Sequence, residues 1–376
     1  MKKRKVLSVF LLLLTVYFIW LAFQLITFEC YTTIPQKDAA LEVSGAFHIH
    51  STFSDGKSTV ERIAECASDR SLNFIVITDH GRPNYESLRS AGWKEGVLVL
   101  CGSELSQNRG HLVGVGFDPP SSPFSSTAEH AVHQVHGLGG FTIIAHPYSK
   151  VLWSWGPVAD YSGVEIISAD SMLKRSLPLS LLYIPALLID PQFALIKVLE
   201  RPEKNLKKWD SLNERQHIFG YYSVDAHLFY NALFSSLHLH VLLSKPLAKE
   251  FSTAASQVLA SLRRGHFYNA VDGAAQAKGF RFWATQADEV FPMGSRLPID
   301  RETTLHAAMP VGVALEAQIL HNGTPVFWSH EKRWSYPVES GAGTYRVEVY
   351  LKERSPMRKD IPWILSNPIF LEEIND

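Results

Sequence analysis

The chain has 376 residues, a formal net charge of −1 and 46% apolar residues. That length accommodates two folded domains, or one large domain with an appendage. The charge balance carries no electrostatic footprint for nucleic acid, and three cysteines without a CxxC pair exclude a disulfide framework.

Met1-Lys2-Lys3-Arg4-Lys5 precedes Val6 to Phe28, an apolar run without a charge. This run is long enough to span a bilayer with modest tilt. A cleaved signal peptide usually has a shorter apolar core and ends in small residues. Here the run ends Leu25-Ile26-Thr27-Phe28, with bulky residues instead. Residues 1–30 therefore read as an uncleaved, single-pass transmembrane signal anchor. The basic cluster predicts a cytoplasmic amino terminus, which puts the rest on the extracytoplasmic (periplasmic or extracellular) side.

Residues 31–43 read as a linker. Phe47-His48-Ile49-His50 closes an apolar run, and alternation along a strand aims both imidazoles to one side. Asp55 follows in the turn Ser54-Asp55-Gly56, so nitrogen and oxygen donors suited to a metal ion lie close together. Ser58-Thr59-Val60-Glu61 is a capping box that predicts a helix to about Arg70. Buried strands are then expected over 73–78, ending in Asp79-His80, and over 96–101, ending in Gly102-Ser103-Glu104. A third is expected over 111–117, opening on His111. Ser126 and Glu129 predict a second capped helix stopping near Gly137. Residues 141–145 form a strand ending in His146-Pro147, 163–167 form another, and 218–224 form one ending in Asp225-Ala226-His227. Strands alternate with helices, and the strands are nearly continuous apolar runs. A parallel sheet covered by helices is the expected architecture, and active sites of β/α barrels are built where strands stop.

The motifs His48-Ile-His50, Asp55, Thr78-Asp79-His80, Glu104, His111, His146-Pro147 and Asp225-Ala226-His227 resemble, in order, those of the polymerase and histidinol phosphatase (PHP) superfamily. The resemblance covers residues 44–275 and implies a distorted seven-stranded β/α barrel with two or three divalent ions (manganese, zinc or iron) at its mouth. It further implies that His48, His50, Glu104 and Asp225 hold one ion. Glu104 would bridge to a second with His111 and His146, and Asp55, His80 and His227 would hold a third. The segment around Arg201-Pro202 and Trp209-Asp210 resembles that of PHP proteins with a carboxy-terminal β domain.

Other histidines lack this context. His130, His133 and His136 drift around a helix surface, Leu237-His238-Leu239-His240 reads as an ordinary strand or loop, and His217, His306, His321 and His330 carry no partner pattern. Lys57, Arg82, Arg109 and Lys150 are candidate phosphate partners. The insertion 171–210 is apolar from Leu177 to Leu199, broken by prolines and flanked by Lys and Arg. It fits extra helices walling the pocket or an interfacial patch on the membrane that the anchor crosses. Residues 276–376 read as a small antiparallel β-sandwich, with Asn322-Gly323 in a type I′ hairpin turn.

The expected activity is metal-dependent hydrolysis of phosphoesters, a phosphorylated small molecule or lipid phosphate being the substrate. A water of lowered pKa would be the nucleophile, Asp225 its proton acceptor and His227 or a water the proton donor to the leaving group. Two alternatives stand beside it: hydrolysis of non-phosphate esters or carbamates on the same site, and a non-catalytic, metal-retaining binding protein.

Overall fold

The computed structural model describes residues 2–34, 41–149, 152–154, 160–175, 181–299, 302–352 and 357–373. Helix α1 (Lys2–Ile26) is long and apolar enough to cross a membrane: its 24-residue span Lys3–Ile26 contains an 18-residue window with a mean hydropathy of 2.6, and its apolar side chains are mostly exposed.

Strand β1 (Glu42–Ile49) leads into α2 (Val60–Asp69), which Thr59, not Ser58, caps by accepting from Arg62 N at 3.3 Å. β2 (Phe74–Ile77), α3 (Tyr85–Leu88) and the short β3 (Gly92–Lys94) follow, then β4 (Val97–Gln107) and β5 (Gly110–Val115). Next come α4 (Ala128–Gly137), β6 (Phe141–Ala145), β7 (Gly163–Ser168) and α5 (Ala169–Arg175). The insertion continues as α6 (Ile184–Ile189), α7 (Pro191–Val198) and α8 (Glu203–Asn213) before β8 (Phe219–Ser223). α9 (Tyr230–Leu233), β9 (His238–Leu242), α10 (Phe251–Arg263) and β10 (Phe267–Ala270) complete this half.

β1, β2 and β4 are parallel, as are β6, β7 and β8. β5 departs from the parallel expectation and runs antiparallel to both β4 and β6. The reason is local: only Asn108 and Arg109 connect β4 to β5, too few for the crossover a parallel neighbour needs. At the far end the chain bonds back to the first strand, with Val224 N donating to Phe47 O at 3.0 Å and His50 N to Ala226 O at 2.9 Å. The carboxyl ends of β1, β2, β6 and β8 thereby face one mouth.

The carboxy-terminal strands are β11 (Arg281–Gln286), β12 (Glu289–Pro292), β13 (Arg296–Pro298), β14 (Thr303–Ala308) and β15 (Leu315–His321), followed by β16 (Thr324–Ser329), β17 (Arg333–Pro337), β18 (Gly343–Leu351), β19 (Ile364–Ser366) and β20 (Ile369–Glu372). β12-β11-β14-β17 form a four-stranded antiparallel sheet. The remaining strands continue the first sheet, because β19 pairs with β10. Asn322 and Gly323 take positive φ values of 49° and 79° at the β15–β16 turn, as the Asn-Gly signal requires. The last two strands, β19 and β20, are separated at Asn367 and Pro368, and the proline has no N–H to donate. One apolar core runs from Phe47 through Trp209 to Val347, so the two halves share their interior. Arg201 and Asp210 reinforce the join. Arg201 bonds Glu348 and Tyr350 at 3.1 and 2.8 Å, and buried Arg346 pairs with Asp210 and Glu348.

Candidate metal centre

The site grows from an irregularity in β1. The strand ends at Ile49, its pairing with β2 slips between Phe47 and Ile49, and His48 has a φ of 67°. Simple alternation is therefore not what brings the two rings together, although His48 Nε2 and His50 Nε2 lie 3.1 Å apart. His146 and Asp225 also have positive φ, 25° and 49°. Such backbone costs of order 1–3 kcal/mol per residue and clusters where function over-determines geometry.

Asp79 holds the loop that follows. It accepts from Ser51 N and Oγ, each at 2.7 Å, and from Ser54 Oγ at 2.6 Å. Gly56 closes this loop so tightly that a Cβ there would lie 2.2 Å from His50 O. The loop delivers Asp55, whose Oδ2 lies 3.2 Å from His227 Nε2 and 3.7 Å from His80 Nε2, while Oδ1 lies 3.5 Å from His50 Nδ1.

Glu104 sits at the centre. It lies inside β4 and not at its end, because β4 outruns β2 to form the hairpin with β5. Its Oε2 faces His50 (3.1 Å), His48 (3.2 Å) and His80 (3.3 Å). Its Oε1 faces His111 (2.5 Å) and His146 (2.9 Å). Asp225 Oδ1 lies 3.4 Å from His50 Nε2 and 3.5 Å from His48 Nε2. All nine donors singled out in the sequence thus lie together, with His48, His50 and Glu104 buried and Asp55 half exposed.

A tenth group was not legible as part of the site. Glu165, wholly buried in the apolar strand β7, accepts from His48 Nδ1 at 2.6 Å and from His146 N at 2.7 Å. A lone carboxylate within an apolar strand was the available signal. With its Nδ1 proton given to Glu165, His48 turns its Nε2 lone pair toward Glu104 and Asp225, which offer only lone pairs themselves. His80 Nδ1 is likewise buried without a hydrogen-bond partner, facing Glu104. These conflicts are relieved by cations, and the donor set fits divalent ions: three groups of ligand atoms each fall within 4.8 Å (His48, His50, Glu104; His50, Asp55, His80, His227; His80, Glu104, His111).

Without such ions, protons take their part. Burial opposes charging of His48, but the carboxylates of Glu165, Asp225 and Glu104 raise its pKa well above the usual imidazole range. Against the same burial, Asp225 and Glu104 lift His50 to about 9, and Glu104 and Asp225 lift His146 to about 9. His80 moves the other way, lowered chiefly by burial. Burial works against ionised Glu104 and Asp225, yet the surrounding histidines hold both below the carboxylate range.

The cluster opens into a cavity of ≈ 710 Å³ whose wall includes Tyr148, Ser149, Ser171, Lys174 and Arg175. Among the described residues its cations are Lys174 and Arg175 of α5, and Lys57, Arg82 and Arg109 do not line it. Arg82 lines a different depression, and Lys150 lies outside the described residues. Arg175 donates to Tyr148 O, and Lys174 pairs with Asp170. His130 and His133 are on the exposed face of α4, as expected. His238 and His240 do lie on a strand, but they are not isolated. His238 Nδ1 and His240 Nε2 bond Asp272 Oδ2 at 2.7 and 2.8 Å, and His240 Nδ1 bonds Glu42 at 2.8 Å.

No protein-family model matches the chain. Over 96 residues it is 29% identical to a phosphoribosyl 1,2-cyclic phosphate 1,2-diphosphodiesterase from Eggerthella lenta, a match covering 24% of this chain and 37% of that protein. A two-domain protein from Bacteroides vulgatus, described as containing a predicted PHP-like metal-dependent phosphoesterase, aligns over 90% of this chain and 99% of its own at 12% identity, with a TM-score of 0.46. An amidohydrolase from Chromobacterium violaceum aligns over 49% of this chain and 87% of its own at 17% identity, with a TM-score of 0.33. By the order of its motifs, the convergence of its donors and this local sequence likeness, the chain resembles the PHP superfamily of metal-dependent phosphoesterases.

Proposed function

We propose that the chain is a membrane-anchored, metal-dependent phosphoesterase whose seven strands β1-β2-β4-β5-β6-β7-β8 form a PHP-type barrel. The observation that carries the activity is Glu104, whose two oxygens face two different sets of histidines. His48, His50, Glu104 and Asp225 would hold one ion, and Glu104, His111 and His146 a second. A third would rest on Asp55, His80 and His227. Manganese, zinc and iron all suit this mixture of imidazole and carboxylate. When bound, such ions polarise phosphate oxygens and supply a water that ionises near neutral pH.

The chain's own groups do the rest. Lys174 and Arg175 draw an anionic ester into the cavity and offset its charge. Asp225 accepts the proton of the attacking water. His227 gives its Nδ1 hydrogen to Asp225 O at 2.9 Å, which leaves its Nε2 lone pair, 3.2 Å from Asp55 Oδ2, to the third ion. The leaving oxygen takes its proton from a water, or from His227 when Nε2 carries a proton in place of that ion. Helix α1 anchors this site, with the folded part on the extracytoplasmic side.

The test is a panel of phosphate monoesters, phosphate diesters and carboxyl esters, with and without chelation. Cleavage confined to phosphate esters and abolished by chelator is expected. Cleavage of carboxyl esters alone would transfer the chemistry to the non-phosphate alternative, and turnover that survives chelation would remove the metal reading.

A further inference from the structure

The insertion and α1 pack together. Leu21 of α1 forms a small core with Tyr183, Ala186, Phe193, Ala194 and Val198, separate from the main one. Trp20 lies against Tyr183 and Phe28 against Phe193, with ring centroids 5.9 and 5.4 Å apart. Tyr17 donates its hydroxyl to Leu182 O at 2.6 Å.

That last contact sets a depth. A helix rises about 1.5 Å per residue, and Tyr17 precedes Ile26, the end of α1, by nine residues. Leu182 therefore sits about 14 Å below the exit of α1, close to half the ~30 Å hydrocarbon thickness of a bilayer. If α1 spans a membrane, residues 181–189 lie at the level of acyl chains. Their surface suits that position: Leu181, Leu182, Ile184, Leu188 and Ile189 are exposed, Leu188 at 82% and Ile189 at 70%. Exposure of this extent on adjoining apolar residues in water would be an aggregation site.

The same elements carry the wall of the cavity. In α5, Lys174 and Arg175 line the cavity, while Leu173, between them and Met172, packs against both the main core and the small core shared with α1. One helix thus links the cations of the site to the apolar helices at α1.

We propose that the insertion is embedded in the leaflet through which α1 leaves the membrane, and that the site acts on a phosphate ester borne by a membrane amphiphile. The substrate class rests on the phosphoesterase reading; the embedding does not. In the reaction the bond from phosphorus to the ester oxygen breaks, the oxygen of water joins phosphorus, and the released oxygen takes a proton.

Two measurements on the full chain reconstituted in phosphatidylcholine vesicles test this. The first places a nitroxide on Leu188→Cys in a Cys30→Ser background. Relaxation by oxygen in preference to an aqueous nickel chelate is expected, and the reverse preference would overturn the embedding. The second compares Leu188→Asp/Ile189→Asp with the unsubstituted chain on phosphatidic acid in the vesicles and on soluble p-nitrophenyl phosphate. A loss of about tenfold or more on the vesicle-borne ester, with the soluble ester unchanged, is the expected result. Equal rates of both proteins on both esters would overturn the membrane-borne substrate. Inertness of the unsubstituted chain on both, with the nitroxide buried, would overturn the phosphoesterase reading and its substrate class while the embedding stands.

Discussion

His48-Ile49-His50 and His238-Leu239-His240 are the same three-residue pattern on neighbouring antiparallel strands, β1 and β9. Around the first pair, Glu104, Asp225, Glu165 and Asp55 form ion pairs only with histidines among the described residues. Around the second, Glu42 accepts from Arg281, from His240 and, at 2.6 Å, from Tyr268, and Ala277 N donates to Asp272 at 2.8 Å. Both nitrogens of each histidine are bonded, the remaining one of His238 to Phe234 O at 2.7 Å. The protein's own cations thus balance the carboxylates there, and the first cluster leaves its balance to ions from solution and opens into a cavity. The same His-apolar-His pattern serves a fixed ionic knot in one place and a candidate metal centre in the other. Their neighbours decide which.

The sharpest way to break this contrast is to neutralise one aspartate in each cluster. Asp225→Asn should lower phosphoesterase turnover by about 10³-fold. The fold should survive by circular dichroism, because asparagine tolerates the positive φ that Asp225 adopts. Asp272→Asn should do the opposite, leaving turnover within about twofold while costing about 3–5 kcal/mol in denaturant unfolding, as loss of one partner in a buried ionic cluster does. Comparable losses of turnover in both variants would erase the distinction.

Glu165→Gln comes next. Loss of the carboxylate that orients His48 should weaken metal affinity about 10–100-fold in a competition titration. Glu42→Gln, removing the analogous partner of His240, should leave bound metal unchanged.

Smaller effects follow from pH. His50 and His146 of the metal-free protein have pKa values raised to about 9. Their protons compete with metal, so affinity measured calorimetrically should increase from pH 6.5 to 8.5. His240 is raised to about 10, the carboxylates of Asp272 and Glu42 outweighing its burial. A raised imidazole contributes its full stability below the unfolded value of about 6.5 and loses it as pH rises through the folded value. The contribution of the ionic knot should therefore be full below about pH 6.5, fall steadily as pH rises from there, and be lost above about pH 10, in urea unfolding of wild type against His240→Gln. The smallest expected change is Lys174→Ala. This side chain is 69% exposed, so its removal should raise KM about fivefold with kcat nearly unchanged.

Local chemistry was what the sequence displayed. Strand-end donors such as His146 and Asp225 stood out because polar groups ended apolar runs, and α1 stood out by length and hydropathy. Glu165 did not, since its role depends on His48, 117 residues earlier in the chain. His238 and His240 read as an ordinary strand or loop because Glu42 and Asp272 reach them only through pairing of β1, β9 and β10. The antiparallel β5 followed from a two-residue connection that the expected α/β alternation outweighed. Lys174 and Arg175 were seen as flanks of an apolar segment, and folding of α5 against the mouth is what makes them part of the cavity wall.

Elemental analysis of the purified full-length chain, run beside the ester panel, tests the central claim most directly. The expected result is two or three divalent ions per chain, with phosphate-ester turnover that disappears on chelation and returns with added metal. Turnover in a preparation free of divalent ions would contradict it.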